Sequence, residues 1–215
     1  MLTLYHSASA RSFRVLWTLE EMALDYRLLM VAFPPRVQQP DYLQINPLGT
    51  VPTFFDGDLR LTESAAICHY LVSRHGPSEL NVTPAEEAYG AFLNWLHFGE
   101  ATLTFPQTLV LRYGQFEPQE RRQPQVVTDY TRWFLARLRA IEATVSSADW
   151  LCAERFTAAD IVVGYALMLA SELGLAQHFK PATAAYWQRL QQRPAFVAAM
   201  ARQAGHASPI KLQAQ

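Results

Sequence analysis

Apolar and polar positions follow two different rhythms along this chain, and the change comes about a third of the way in. Leu2–His6 alternates over a strand's length, after which Phe13, Leu16, Trp17 and Leu24 recur at helical spacing and predict a helix over Ser12–Leu24. Tyr26–Ala32 returns to strand character until Phe33-Pro34-Pro35 breaks it. Pro40–Ile45 predicts a brief helix closed by Asn46-Pro47-Leu48-Gly49. Val51–Phe55 and Leu59–Leu61 flank Asp56-Gly57-Asp58, the Asp-Gly signal of a hairpin turn. Thr62 then stands at the N-cap position of a helix carrying Ile67, Tyr70 and Leu71. The order is β-α-β, a crossover with a short helix, then β-β-α, so parallel strands come first and a hairpin follows.

Gly76-Pro77-Ser78 stops that helix, and the polar stretch to Pro84 reads as a linker. Beyond it the strand signals vanish. Ala85–Leu111 and Pro118–Val145 predict two long helices, the second with Trp133, Phe134, Leu138 and Ile141 on one face, and Pro106 is expected to kink the first. Thr157 followed by Asp160 three residues later is a capping box, with Phe156 and Ile161 at the flanking positions of a hydrophobic staple. Shorter helices are expected at Ala182–Gln192 and Pro194–Gln203, ahead of a tail to Gln215 that is thin in apolar residues. The expected organisation is an α/β domain over residues 1–76, a linker over 77–84 and an all-helical domain over 85–215.

Composition narrows the function classes. Half of the 215 residues are hydrophobic and only 17% are charged, which suits a buried core and excludes a disordered chain. Eighteen Lys+Arg against nineteen Asp+Glu, with no basic block, argue against nucleic acid and against a polybasic membrane anchor. The longest apolar stretch, around Ile161–Ala170, is far short of a membrane span, and Met1–His6 lacks the features of a targeting segment. Cys68 and Cys152 lie far apart and support neither a disulfide framework nor a zinc site. A soluble protein of a reducing cytoplasm is expected. His97 and Glu100 share a helix face at i, i+3, but no further ligand gathers with them, so no metal is expected.

Two stretches carry candidate chemistry. In the β-α-β-α-β-β-α order, a strand that begins just after Val51-Pro52 resembles the thioredoxin-like fold, in which that proline is cis and leaves the preceding backbone amide facing a ligand. Glu63-Ser64 opens a predicted helix. Ser64 offers a hydroxyl and a backbone N–H to a carboxylate at the positive end of the helix dipole, and Glu63 suits an ammonium group.

Val51-Pro52, Glu63-Ser64, the Thr157–Asp160 box and the two-domain layout together resemble the cytosolic glutathione transferases over nearly the whole chain. The resemblance implies a thioredoxin-like domain that binds glutathione as co-substrate, through Val51 and Pro52 for its cysteinyl part and Glu63 and Ser64 for its γ-glutamyl end. It also implies a helical domain that supplies an apolar pocket for an electrophile, a two-fold homodimer and a role in detoxification. Pocket candidates are Trp95, Phe98, Thr102, Phe105 and Tyr113. The family's chemistry is thiol activation by a hydroxyl, and counting back from Arg14-Val15 selects Ser9, with Ser12 as the substitute and Ser7, Tyr5 or backbone amides behind them. Arg11 in the same loop is a candidate for holding the thiolate electrostatically. Where beta-like bacterial relatives carry a cysteine this chain has Ala10, which argues against mixed-disulfide chemistry. Glutathione peroxidase activity is a second use of the same thiolate. Glutathione-dependent isomerisation and a non-catalytic glutathione-binding or scaffolding role remain alternatives.

Overall fold

The computed structural model describes residues 1–206, 208 and 210. The chain divides into two compact units, one made of Met1–Asn81 with the returning segment Gln191–Pro209, the other containing Val82–Leu190.

In the first unit, β1 (Leu2–His6) leads into α1 (Phe13–Glu21), then β2 (Tyr26–Met30), α2 (Pro35–Gln38), a 3-10 turn over Pro40–Gln44, β3 (Thr53–Asp56), β4 (Leu59–Leu61) and α3 (Ser64–Arg74). The sheet runs β2-β1-β3-β4, with β1 parallel to β2 and antiparallel to β3. Asp56 pairs with Leu59 across a two-residue loop in which Gly57 takes φ +57, a left-handed conformation that glycine adopts without steric cost. Mixed pairing and helices on the sheet give the thioredoxin-like arrangement expected from the element order. Leu4 from β1, Phe13, Leu16 and Trp17 from α1, Phe54 from β3 and Ile67 and Leu71 from α3 are fully buried together.

Local details depart from the pattern of the sequence. α1 ends at Glu21 instead of Leu24, because Ala23 turns left-handed and Leu24 N–H closes back on the Leu19 carbonyl. Glu63, not Thr62, is the N-cap of α3, and its side chain makes no capping bond. β3 begins at Thr53, two residues later than expected.

α9 (Pro194–Gln203), which the sequence places with the later helices, groups with the first unit. Phe196 packs edge-on against Trp17 at 4.9 Å and Phe13 at 5.5 Å between ring centroids. Arg193 grips Glu21 with two bonds of 2.6 and 2.7 Å, and Arg202 reaches Glu20 at 3.1 Å. The amphipathic period of α9 is the same whichever partner it meets. Its destination is decided by which apolar groove accepts Phe196.

In the second unit, the expected long helix begins at Tyr89 and is interrupted: α4 (Tyr89–His97), a π-helical stretch over Phe98–Thr104, α5 (Phe105–Leu111) and another over Arg112–Phe116. Pro106 has no N–H to return to the Thr102 carbonyl, so a regular α-ladder cannot run through it. The widened turn is held by the Thr104 hydroxyl, which donates to the Gly99 carbonyl at 2.7 Å. Gly99 permits close approach to α7 (Ala158–Glu172): a Cβ there would lie 2.8 Å from Val162 Cγ1. α6 (Pro124–Val145) starts six residues later than Pro118, where only a 3-10 turn, Gln119–Arg121, forms.

Every residue of α7 from Ala158 to Ala170 is buried, so this helix is the centre of the second unit. The capping box is present, and Asp160 does more than cap. Its carboxylate accepts from Thr157 N–H at 2.8 Å, Leu151 N–H at 3.1 Å and the Tyr186 hydroxyl of α8 (Pro181–Gln191) at 2.8 Å. Complete burial pushes the carboxyl up to about 6 against the pull of these donors. Cys68 lies buried in α3, and Cys152 sits in the turn before α7, its thiol pushed up to about 11 by burial. Among the described residues no helix is long and apolar enough to cross a membrane.

Replacing Asp160 by Ala orphans three buried donors at about 1 kcal/mol or more each, so urea unfolding is expected to show a loss of roughly 3 kcal/mol or more. A loss below about 1 kcal/mol would remove Asp160 from the centre of this packing.

Candidate active site

The loop between β1 and α1 holds the candidate hydroxyls, and the structure sorts them by what each already does. Ser7 donates to the Val31 carbonyl at 2.7 Å and so ties the end of β1 to the end of β2. Tyr5 packs between Tyr42, tilted at 5.7 Å, and Phe55, edge-on at 6.1 Å, a packing role. Ser12, fully buried at the N-cap of α1, makes no capping bond. Its Oγ lies 2.7 Å from His6 Nδ1 and accepts Ser7 N–H at 3.3 Å. Ser9 is 5% exposed and takes φ +57, with its N–H donating to Gln203 Oε1 at 3.1 Å. Arg11 is half-buried in the same loop.

The protons of this network can be placed. Gln203 Oε1 is an acceptor only, so His6 Nε2, 3.1 Å away, must carry a hydrogen and donate to it. His6 is fully buried, and desolvation, opposed by the Gln203 bond and aided by the nearby His206 charge, lowers its pKa to about 4. The imidazole is therefore neutral near pH 7, which leaves Nδ1 as an acceptor. The Ser12 hydroxyl donates to it.

Across the sheet, Ser64 is the first residue of α3 and 3% exposed. Arg14 Nη1, fully buried within α1, donates to Ser64 Oγ at 2.9 Å. That bond occupies a lone pair and leaves the Ser64 proton for another acceptor. Glu63, one residue earlier, is exposed. Val51 and Pro52 are joined by a cis peptide bond just ahead of β3, outside the strand ladder. The preceding loop is braced by Tyr42, whose hydroxyl donates to the Thr50 carbonyl at 3.0 Å, and by Asn46 Nδ2, which reaches the same carbonyl at 2.9 Å. A cis-proline loop, a helix start with a buried serine, and a serine-bearing loop all stand on one unit.

The family model for the glutathione S-transferase N-terminal domain matches residues 1–73. Glutathione S-transferase 4 of Zea mays is 31% identical over 189 residues, covering 85% of this chain and 83% of its own length. Glutathione S-transferase GstB of Escherichia coli K12 is 28% identical over 200 residues, covering 91% and 95%. The chain belongs to the glutathione S-transferase family. The crystal structure of a glutathione transferase from Methylococcus capsulatus Bath, 27% identical, superposes with a TM-score of 0.80 over 94% of this chain and 98% of the other.

Within this family member, two positions that the sequence pattern used only as landmarks carry the local geometry. Arg14 marked the start of a helix; as an arginine amid the buried run Phe13–Leu19 it needed a buried partner, and that demand was the available signal. Gln203 had no comparable signal, since its partners lie about two hundred residues away.

The five aromatic and threonine positions named for an apolar pocket do not form one group. Thr102 and Phe105 line a cleft of about 420 Å³ with Ala101, Pro106, Tyr130, Trp133 and Arg137. Trp95 is buried and meets Phe98 edge-to-face at 5.2 Å, and Tyr113 lies under Arg112 Cζ at 5.5 Å. Phe105 and Trp133 are about half exposed, and Arg137 Cζ sits 3.6 Å from the Trp133 ring centroid.

The lowered His6 pKa has a definite sign. Between pH 6.5 and 4 the unfolded chain takes up a proton at His6 that the folded chain refuses, so stability falls as pH falls through that window. The contribution is expected to approach about 3 kcal/mol in urea unfolding, and His6→Asn should abolish that part of the slope. An unchanged slope in the variant would place the titrating group elsewhere.

Proposed function

We propose that the first unit binds glutathione and lowers the pKa of its thiol, so that the thiolate attacks an electrophilic carbon of an apolar substrate. As a member of the family the chain is a transferase with glutathione as its co-substrate. Sulfur forms the new bond to carbon, and the leaving group departs with the electron pair of the bond that breaks. A peroxide is an alternative electrophile for the same thiolate.

The observation that carries this assignment is the buried Arg14–Ser64 pair at the start of α3. The guanidinium fixes the hydroxyl, whose proton and neighbouring helix N–H groups suit the γ-glutamyl carboxylate. Exposed Glu63 beside it suits the ammonium group of the same amino-acid end. The Val51 backbone, ahead of β3, takes the cysteinyl part as an added antiparallel strand would.

Free glutathione, as a thiol of pKa about 8.5, is only a few per cent ionised at neutral pH. Bringing that to about 6.5 takes roughly 2.7 kcal/mol of preferential thiolate stabilisation. One hydroxyl donor to the charged sulfur supplies about 1.5–3 kcal/mol of this, with Arg11 and the start of α1 adding positive potential. We assign the hydroxyl to Ser9. Ser12 has given its proton to neutral His6, and Ser7 has given its own to Val31.

The chain is further assigned a homodimer. Half-exposed Phe105 and Trp133 beside the cleft between α5 and α6 are the kind of apolar surface that a second copy covers.

Ultraviolet thiolate absorbance of bound glutathione against pH tests the first assignment. A pKa well below the free value is expected, returning by about one unit or more in Ser9→Ala with a tenfold or larger fall in kcat/KM near pH 6.5. Tight binding without a shift in the unaltered protein would favour a binding or scaffolding role. Sedimentation tests the second: Trp133→Glu is expected to convert a dimer to monomer, and an unaltered protein that sediments as a monomer overturns it.

A further inference from the structure

Ser9 is held in a conformation that a serine does not choose. A left-handed backbone is strained for a non-glycine residue, and Ser9 adopts it at φ +57. Strain of that kind persists only where surrounding contacts over-determine it. Two contacts that hold it are a turn closed by Ala10 N–H on the Ser7 carbonyl at 3.1 Å, with Ser9 inside it, and one from the other end of the chain, Gln203 Oε1, which accepts Ser9 N–H at 3.1 Å.

The oxygen is itself fixed from two sides. It accepts His6 Nε2–H at 3.1 Å, and His6 is locked in turn by the Ser12 hydroxyl at 2.7 Å. Gln203 is 6% exposed, and its amide nitrogen lies 3.4 Å from Met200 Sδ, so the oxygen-inward orientation satisfies the whole set. Gln203 is the last residue of α9, whose place on α1 is set by Phe196 against Trp17 and Phe13 and by the Arg193–Glu21 pair. A continuous chain of contacts thus runs from the docking of α9 to the main chain of Ser9.

From this geometry we infer that Gln203 is a positioning residue for thiol activation: by holding the Ser9 main chain left-handed, it aims the Ser9 hydroxyl at the sulfur. The inference rests on the assignment of Ser9 as the thiolate donor. Gln203 itself does not touch glutathione. Without its oxygen, Ser9 N–H loses this acceptor, the restraint on the Ser7–Ala10 turn weakens and the hydroxyl shifts away from the sulfur. His6 acts one step further back, as the group that keeps the oxygen in place.

The test uses the full chain with Gln203→Leu, Ser9→Ala and the double variant, reading the pKa of bound glutathione, its dissociation constant and the thermal midpoint. Gln203→Leu is expected to raise the bound thiol pKa by about one unit, a tenfold loss of thiolate at pH values below both pKa values, while glutathione affinity stays within about twofold. The KM for glutathione holds and kcat/KM for the electrophile falls. In the double variant the pKa rises no further than in Ser9→Ala alone, because both substitutions remove one contribution. Gln203→Glu, which keeps an acceptor oxygen, restores part of the shift. If Gln203→Leu folds poorly, Gln203→Met carries the same expectation. A wild-type pKa in Gln203→Leu, where Ser9→Ala raises it, overturns the positioning role and leaves the Ser9 assignment standing. No effect of Ser9→Ala overturns both.

Discussion

The first turn of α1 is surrounded by buried polar side chains, and the demand that each find a partner organises the first unit. His6, Ser12, Arg14 and Gln203 are almost wholly withdrawn from water. A buried donor or acceptor without a partner costs about 1–3 kcal/mol, more when charged. Ser12 is satisfied within its own loop by His6 and Ser7, but His6, Arg14 and Gln203 need partners far away in sequence. Arg14 reaches Ser64 on α3, and His6 reaches Gln203 on α9. The same bonds that prevent these penalties join the β1–α1 loop to the two helices that flank it. The arrangement that stabilises the unit is therefore also the one that sets the serine loop and the start of α3.

Proton bookkeeping distinguishes residues that look alike in the chain. Ser7, Ser9 and Ser12 are all buried serines within six residues. Burial alone gives no reason to prefer one as a donor to sulfur. What separates them is the direction of each hydrogen bond, which follows from a single fact: a glutamine carbonyl oxygen cannot donate. From that oxygen the His6 tautomer follows, and from the tautomer the direction of the Ser12 proton. Ser12 gives its proton to His6 and Ser7 gives its own to the Val31 carbonyl, and the Ser9 main chain is bonded to Gln203.

The second unit shows the same principle with a carboxylate. Asp160 begins as a local capping residue and becomes the acceptor for Leu151 and Tyr186 as well. A fully buried helix such as α7 leaves few polar groups through which its neighbours can be oriented, and one side chain at its first turn takes that role. The π-helical stretches before and after α5 are a different compromise. The missing N–H of Pro106 interrupts a regular ladder, Gly99 allows the close approach to α7, and the Thr104 hydroxyl donates to the Gly99 carbonyl within the widened turn.

Most of the element order was legible because hydrophobic periodicity and turn chemistry act over a few residues. The β-α-β start, the Asp-Gly hairpin and the Thr157–Asp160 box could be read directly. Boundaries were less legible where long-range contacts decide them, as at the start of α6 and the broken helix around Pro106. The unit to which α9 belongs was invisible, since an amphipathic helix records that one face is buried without recording against what. So were Arg14–Ser64 and His6–Gln203, because the energy that forms those pairs is the desolvation of polar groups inside a core that exists only after folding. The sequence by itself determined which segments form elements and which residue types are at hand for chemistry. Only the tertiary structure decided which of those polar groups face one another, because pairing across fifty or two hundred residues is set by the packing of whole helices.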